Sequence, residues 1–154
     1  MSNADKRMEL AAKFSRFAPY RLNILIYRLT GGRLFNKTPG GNLKILLLTT
    51  TGRKSGIQRT HPVMYYPNGR DFIVAATNSG NDKLPLWYLN LKTSPNAVVE
   101  VGSLKTTVSA REASGEERAS LWNILREEQP VFKVYEKLTE RTIPVVILHT
   151  AENP

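Results

Sequence analysis

The chain has 154 residues, 22 Lys and Arg against 13 Asp and Glu, a formal charge of +9 and no cysteine. That length suits one domain with a full core, and the missing cysteines exclude disulfides, thiolate metal sites, iron–sulfur ligation and cysteine nucleophiles. No apolar run is long enough to span a membrane and no secretory pattern opens the chain, so a soluble, cytoplasmic protein is the expectation.

The charge is uneven. Residues 1–60 hold 12 Lys/Arg and 2 Asp/Glu, a balance of +10, whereas residues 61–154 hold 10 and 11, a balance of −1. A one-signed block implies an anionic partner: nucleic acid, a membrane surface, or a phosphorylated or carboxylated small molecule.

In chain order, Asp5–Ala18 reads as an amphipathic helix, with Met8, Ala11, Ala12, Phe14 and Phe17 on one side. Pro19 opens a second helix that runs to Leu29 and stops at Gly31-Gly32. Such a basic face packs over the barrel mouth, mediates dimerisation or lies on an anionic membrane. Strands are expected over Lys44–Thr51, Ile57–Tyr66 and Asp71–Thr77; Pro62 marks the second as an edge or a bulge, and Asn68-Gly69 forms a hairpin turn. A short helix, Leu86–Lys92, follows Pro85. Ala97–Val101 and Leu104–Ala110 form a hairpin about Gly102-Ser103. Ser114 and Glu117 have capping-box spacing ahead of a helix that stops before Pro130. A further helical turn passes through Tyr135 and Leu138, and Ile143–His149 is a closing buried strand. These elements predict an α+β fold on a small barrel, with residues 1–40 as a helical extension and 41–150 as the barrel domain.

The densest polar feature is Thr49-Thr50-Thr51-Gly52-Arg53-Lys54-Ser55-Gly56, followed by Arg59. Glycines let backbone approach an anion, and Arg can hold phosphate bidentately. It is not a Walker A loop, because the required earlier glycine is missing and a strand follows. An ordinary hairpin turn with solvated charges has the same composition. Pro85-Leu86-Trp87-Tyr88-Leu89-Asn90 either buries Trp87 or offers an aromatic and an amide to a planar ring. No nucleophile elbow or catalytic triad is present, so any redox chemistry would have to come from a cofactor.

Thr50-Thr51-Gly52-Arg53-Lys54-Ser55-Gly56-x-x-Arg59, Pro85-x-Trp87-Tyr88-x-Asn90 and Arg141-Thr142-Ile143-Pro144 together resemble the deazaflavin-dependent nitroreductase family. The resemblance implies a split β-barrel like that of the pyridoxine-phosphate-oxidase-type, FMN-binding flavoproteins. It implies a hydride transfer from reduced coenzyme F-420, an 8-hydroxy-5-deazaflavin, to a quinone or nitroaromatic. By position, Arg53, Lys54, Ser55 and Arg59 look like the binders of the cofactor's phosphate and anionic tail. Thr60, His61, Pro62, Val63, Met64 and Tyr65, with Ala75, Ala76, Thr77 and Asn78, would line the ring. Leu86, Trp87, Tyr88, Leu89 and Asn90 would close over it. Phe132 and Tyr135 would face the substrate, with the product's proton coming from Tyr135 or from solvent. Asn78 stands where close relatives often carry Lys, and Gln129 and Phe132 replace aromatic or phenolic residues.

The alternatives to this reductase are a basic nucleic-acid-binding domain, for which no recognition motif is present, and a deazaflavin or FMN carrier without turnover. The expected partners are a small electron acceptor and, through the N-terminal helices, the inner face of the cell membrane, with no nucleic acid. The chain would act as a monomer or homodimer.

Overall fold

In the computed structural model, which describes Asn3, Lys6 and residues 20–151, the first helix is α1, Tyr20–Leu29. The helix expected over Asp5–Ala18 lies outside the described residues apart from Lys6. Six strands follow: β1 (Lys44–Thr51), β2 (Gln58–Asn68), β3 (Asp71–Ala75), β4 (Asn96–Val101), β5 (Leu104–Glu112) and β6 (Val145–Thr150). They close an antiparallel barrel in the order β1-β2-β3-β6-β5-β4, so the fold is the expected α+β split β-barrel. A 3-10 turn (Asn78–Gly80) and α2 (Leu86–Thr93) join β3 to β4, while α3 (Gly115–Glu128) and α4 (Val131–Leu138) join β5 to β6.

β1 reads as a continuous apolar run because both its faces are covered. Leu46 and Leu48 enter the barrel with Val63, Tyr65, Val74, Val99, Val108, Val146 and Leu148, and α2 plugs that interior with Trp87, Tyr88 and Leu91. Leu47 points the other way, under Ile24 and Tyr27 of α1. A second cluster covers the outside of β3 and β6 with Leu121, Trp122, Leu125, Phe132 and Tyr135 from α3 and α4.

Tyr27 fastens α1 to the barrel. Its hydroxyl accepts the Gly102 N–H (2.9 Å) and donates to the Ile45 carbonyl (3.1 Å). Arg28 adds a bidentate pair to Glu100, at 3.1 and 2.9 Å.

Both tight hairpins put glycine at the first central position. Asn68 pairs with Asp71 across Gly69-Arg70, with Gly69 at φ +63°; Val101 pairs with Leu104 across Gly102-Ser103, with Gly102 at φ +60°. Neither Arg70 nor Ser103 has positive φ. This is the II′ pattern, so Asn68 belongs to the strand and not to the turn centre. The expected capping box does not form: Ser114 sits at the helix start without a side-chain cap bond. Glu117 instead forms a fork with Arg111, at 2.7 and 3.2 Å.

β2 is where the barrel splits. Its residues from Gln58 to Tyr65 pair with β1 along their whole length, but only Tyr66, Pro67 and Asn68 pair with β3. β3 turns instead to β6, from Phe72–Leu148 to Ala75–Val145, and the Ala76 N–H extends that ladder to the Pro144 carbonyl (2.9 Å). The β2 edge over Gln58–Tyr65 therefore faces no strand among the described residues. Pro62 lies on that stretch, where a missing N–H sacrifices no ladder bond if its nitrogen faces the open side.

Candidate functional site

The open edge of β2 begins at the β1–β2 connection, Gly52–Ile57. The Gly56 N–H donates to Gly52 O and the Gly52 N–H to Ile57 O, both at 2.8 Å, so the connection is tightly wound. A Cβ on Gly52 would stand 2.6 Å from Ser55 Oγ and 3.0 Å from Ile57 O, and Gly56 has φ +70°. Glycine is favoured at both positions, by close approach at Gly52 and by its left-handed backbone at Gly56. Asn90 of α2 holds the connection from inside: it accepts the Arg53 N–H (3.1 Å) and donates to Thr50 Oγ1 (3.0 Å). Ser55 Oγ accepts the Ile57 N–H (3.2 Å).

Arg53, Lys54 and Arg59 are exposed, and none has an ion-pair partner among the described residues. Most of the exposed charges on β5, α3 and α4 are paired, as in Arg111–Glu117, Arg126–Glu136 and Lys133–Glu127. Three unpaired cations, two on a glycine-shaped turn and Arg59 at the start of β2, favour an anion there.

The two walls expected to line a ring are the segments that diverge at the split. On β2, Thr60, Pro62 and Met64 alternate with His61, Val63 and Tyr65. Val63 and Tyr65 belong to the barrel interior, and the Thr60 hydroxyl meets that of Thr49 at 2.7 Å. His61 is partly buried; desolvation first, and Arg59 second, push its pKa below the usual imidazole value. On the other wall, Ala75 and Ala76 are buried on opposite faces of the sheet, Thr77 is buried and Asn78 is exposed.

The remaining expected residues sit deeper. Trp87 and Tyr88 fill the barrel, Leu89 packs beside them, and Leu86 is exposed. Phe132 stacks on Trp122 with centroids 5.9 Å apart and planes 7° apart, and Tyr135 tilts against it. Both are buried, so α4 presents them first to the core. No hydrogen bond among the described residues engages the Tyr135 hydroxyl. Gln129 is buried too, accepting from the Thr38 hydroxyl (2.7 Å) beneath the loop that leads into β1.

Arg141, in the third of the motifs, has no role that the sequence alone assigns. In the structure it reaches back to the turn after β3. Its Nη2 donates to the carbonyls of Ala76 (3.1 Å) and Thr77 (3.0 Å), and its Nε to that of Asn81 (3.0 Å). Burial pushes its pKa below the usual guanidinium value, and Asp82 acts in the opposite sense. An open concavity of about 600 Å³, lined by Asp82 and residues 137–141, ends at the same side chain.

The sequence model of the F420H(2)-dependent quinone reductase family matches residues 19–150. An F420H(2)-dependent quinone reductase of Mycobacterium tuberculosis (strain ATCC 25618 / H37Rv) is 36% identical over 131 residues, covering 83% of this chain and 87% of the relative. A solved structure described as an F420-H2 dependent reductase, FDR-A, shares 38% identity at a TM-score of 0.63, over 68% of this chain and 93% of its own. Another, described as a domain-swapped dimer, shares 35% identity at a TM-score of 0.66, over 84% and 93%.

Proposed function

We infer, for a chain that belongs to the F420H(2)-dependent quinone reductase family, that the split beside the cation turn is where its deazaflavin and its acceptor meet. The protein is a reductase that uses coenzyme F-420, as its family membership establishes. The observation that carries the location is the conjunction of three unpaired cations with the open edge of β2.

The donor set fits this cofactor. Arg53, Lys54 and Arg59 would hold its phosphate and carboxylate groups by charge-assisted bonds, with Ser55 able to add its hydroxyl proton. The β2 edge and the Ala75–Asn78 segment would take the flat ring between them. When bound, the deazaflavin supplies a hydride, and the protein supplies placement and exclusion of water. Tyr135, with its hydroxyl not engaged elsewhere, would deliver the product's proton. Of the two acceptor classes, the family favours quinones over nitroaromatics.

Reduced coenzyme F-420 mixed with the protein and a soluble naphthoquinone is expected to be reoxidised, read as recovery of the deazaflavin's visible absorbance. A nitroaromatic in parallel ranks the acceptors. Binding of the coenzyme without reoxidation by either would leave a carrier and sink the reductase assignment for this chain.

The helical extension supports a finer reading, that α1 rests on an anionic leaflet from which a quinone is drawn. Leu22, Leu25 and Leu29 are 54%, 52% and 76% exposed, on the face opposite Ile24 and Tyr27. Arg21 and Arg33 flank them and are exposed. Among the described residues no helix is long and apolar enough to cross a membrane, so such contact would be peripheral. Co-sedimentation with anionic vesicles, weakened by Leu25→Glu and absent with neutral lipid, is the expected result. No binding to anionic vesicles would remove the leaflet from the account.

A further inference from the structure

Three consecutive residues of the turn after β3 have positive φ: Asn78 at +44°, Ser79 at +54° and Gly80 at +75°. Thr77 just before them is right-handed, at φ −75° and ψ −35°. Non-glycine residues hold such conformations only where surrounding contacts over-determine them. Here the contacts are visible. Arg141 binds three carbonyls of the turn, the Asn78 side-chain amide donates to the Lys83 carbonyl (2.8 Å), and Gly80 packs where a Cβ would lie 2.9 Å from Leu138 Cβ.

A right-handed residue followed by a left-handed one turns successive N–H groups toward a common point, a concavity that suits anions. Two of the peptide groups whose oxygens Arg141 engages, those of Ala76 and Thr77, carry the N–H of Thr77 and of Asn78. In a trans peptide the N–H points away from the C=O. Both N–H groups are therefore directed away from the guanidinium and polarised by it, and neither has an acceptor among the described residues. They lie on the segment that faces the split.

We propose that Arg141 is a positioning residue which, through the Thr77 and Asn78 amides, favours the reduced form of the cofactor in the split. This rests on the cofactor location inferred above. A deazaflavin that has gained a hydride is electron-richer than its oxidised form, and the added density resides largely on its pyrimidine carbonyl oxygens. Donors fixed beforehand, with a positive charge behind them, discriminate between the two forms without moving. The surface cations of the β1–β2 connection address the tail, which is the same in both forms, and do not discriminate.

The test is a set of equilibrium titrations with oxidised and with reduced coenzyme F-420, accompanied by thermal melts. Arg141→Gln and Thr77→Pro are each expected to weaken the reduced form about tenfold more than the oxidised form, an upward change in the ratio equal to about 30 mV for a two-electron couple. Thr77→Pro deletes a single N–H at a φ that proline adopts. Thr77→Val keeps the N–H and should leave the ratio alone, and Arg141→Lys should restore part of it. Equal weakening of both forms, or losses that follow melting temperature alone, would overturn the proposal and leave the cofactor location intact. Failure of the unmodified protein to bind either form would overturn both. Should Arg141→Gln not fold, Thr77→Pro and Arg141→Lys decide the matter by the same ratio.

Discussion

Replacing Arg53 and Lys54 with alanine lowers the affinity for coenzyme F-420 by about tenfold to a hundredfold per side chain, and leaves the melting temperature nearly unchanged. Both side chains are exposed and neither makes an ion pair among the described residues, so the folded state loses no contact. The bound state loses charge-assisted bonds to the phosphate and tail. Raising salt should weaken the unmodified protein's binding and compress the difference from the variants, since the contacts are on the surface. Lys54→Arg should retain most of the affinity. Fluorescence titration of the oxidised coenzyme measures all of this, and an alanine double variant that binds as tightly as the parent would move the anionic tail elsewhere.

The largest expected stability effect comes from two glycines with nearly the same backbone. Gly32 has φ +75° and Gly40 has φ +74°. Alanine at either site incurs the left-handed strain of about 1–2 kcal/mol. At Gly40 nothing lies within 4 Å of the new Cβ, so the strain is the whole effect. At Gly32 the Cβ would stand 2.7 Å from Gly102 Cα and 3.1 Å from the Tyr27 ring. The first contact is backbone, in the hairpin whose N–H the Tyr27 hydroxyl accepts. It cannot be relieved by turning a side chain. Overpacking of this kind adds roughly 1–3 kcal/mol, so at about 2–4 °C per kcal/mol for a chain of this size Gly32→Ala should melt roughly 2–12 °C below Gly40→Ala. Equal melting temperatures would mean that α1 is not seated on the β4–β5 hairpin as described.

What could be read from the sequence was local. β1 was expected over Lys44–Thr51 and occupies those residues, because an apolar β-branched run between Asn42 and Gly52 has few alternatives. The second helix likewise ends where Gly31-Gly32 stop it. The cation turn was legible for the same reason, its glycines, hydroxyls and charges being neighbours in the chain.

The split was not legible, since where β3 abandons β2 depends on a competition with β6, whose paired residues lie 70 to 76 positions further along. Arg141 was visible as a motif without a task because the carbonyls it binds lie 60 to 65 positions earlier. Phe132 and Tyr135, substrate-facing by resemblance, are both buried by packing among Trp122 and each other, and Gln129 is buried by its bond to Thr38; none of these long-range contacts is visible in the local sequence. The reciprocal cap expected of Ser114 and Glu117 does not form: Ser114 makes no side-chain cap bond, and the Glu117 carboxylate instead reaches Arg111, which precedes the helix.

The unpaired stretch of β2 has one more consequence. A strand edge without a neighbour is a template, and a second molecule could zip onto it as the first step of a fibril. Pro62 withholds an amide hydrogen midway along, and Arg53, Lys54 and Arg59 crowd one end with charge that repels another copy of itself. The groove can therefore stay open for a small anionic guest while remaining a poor seed for aggregation, and the guest, once seated, shields the same edge.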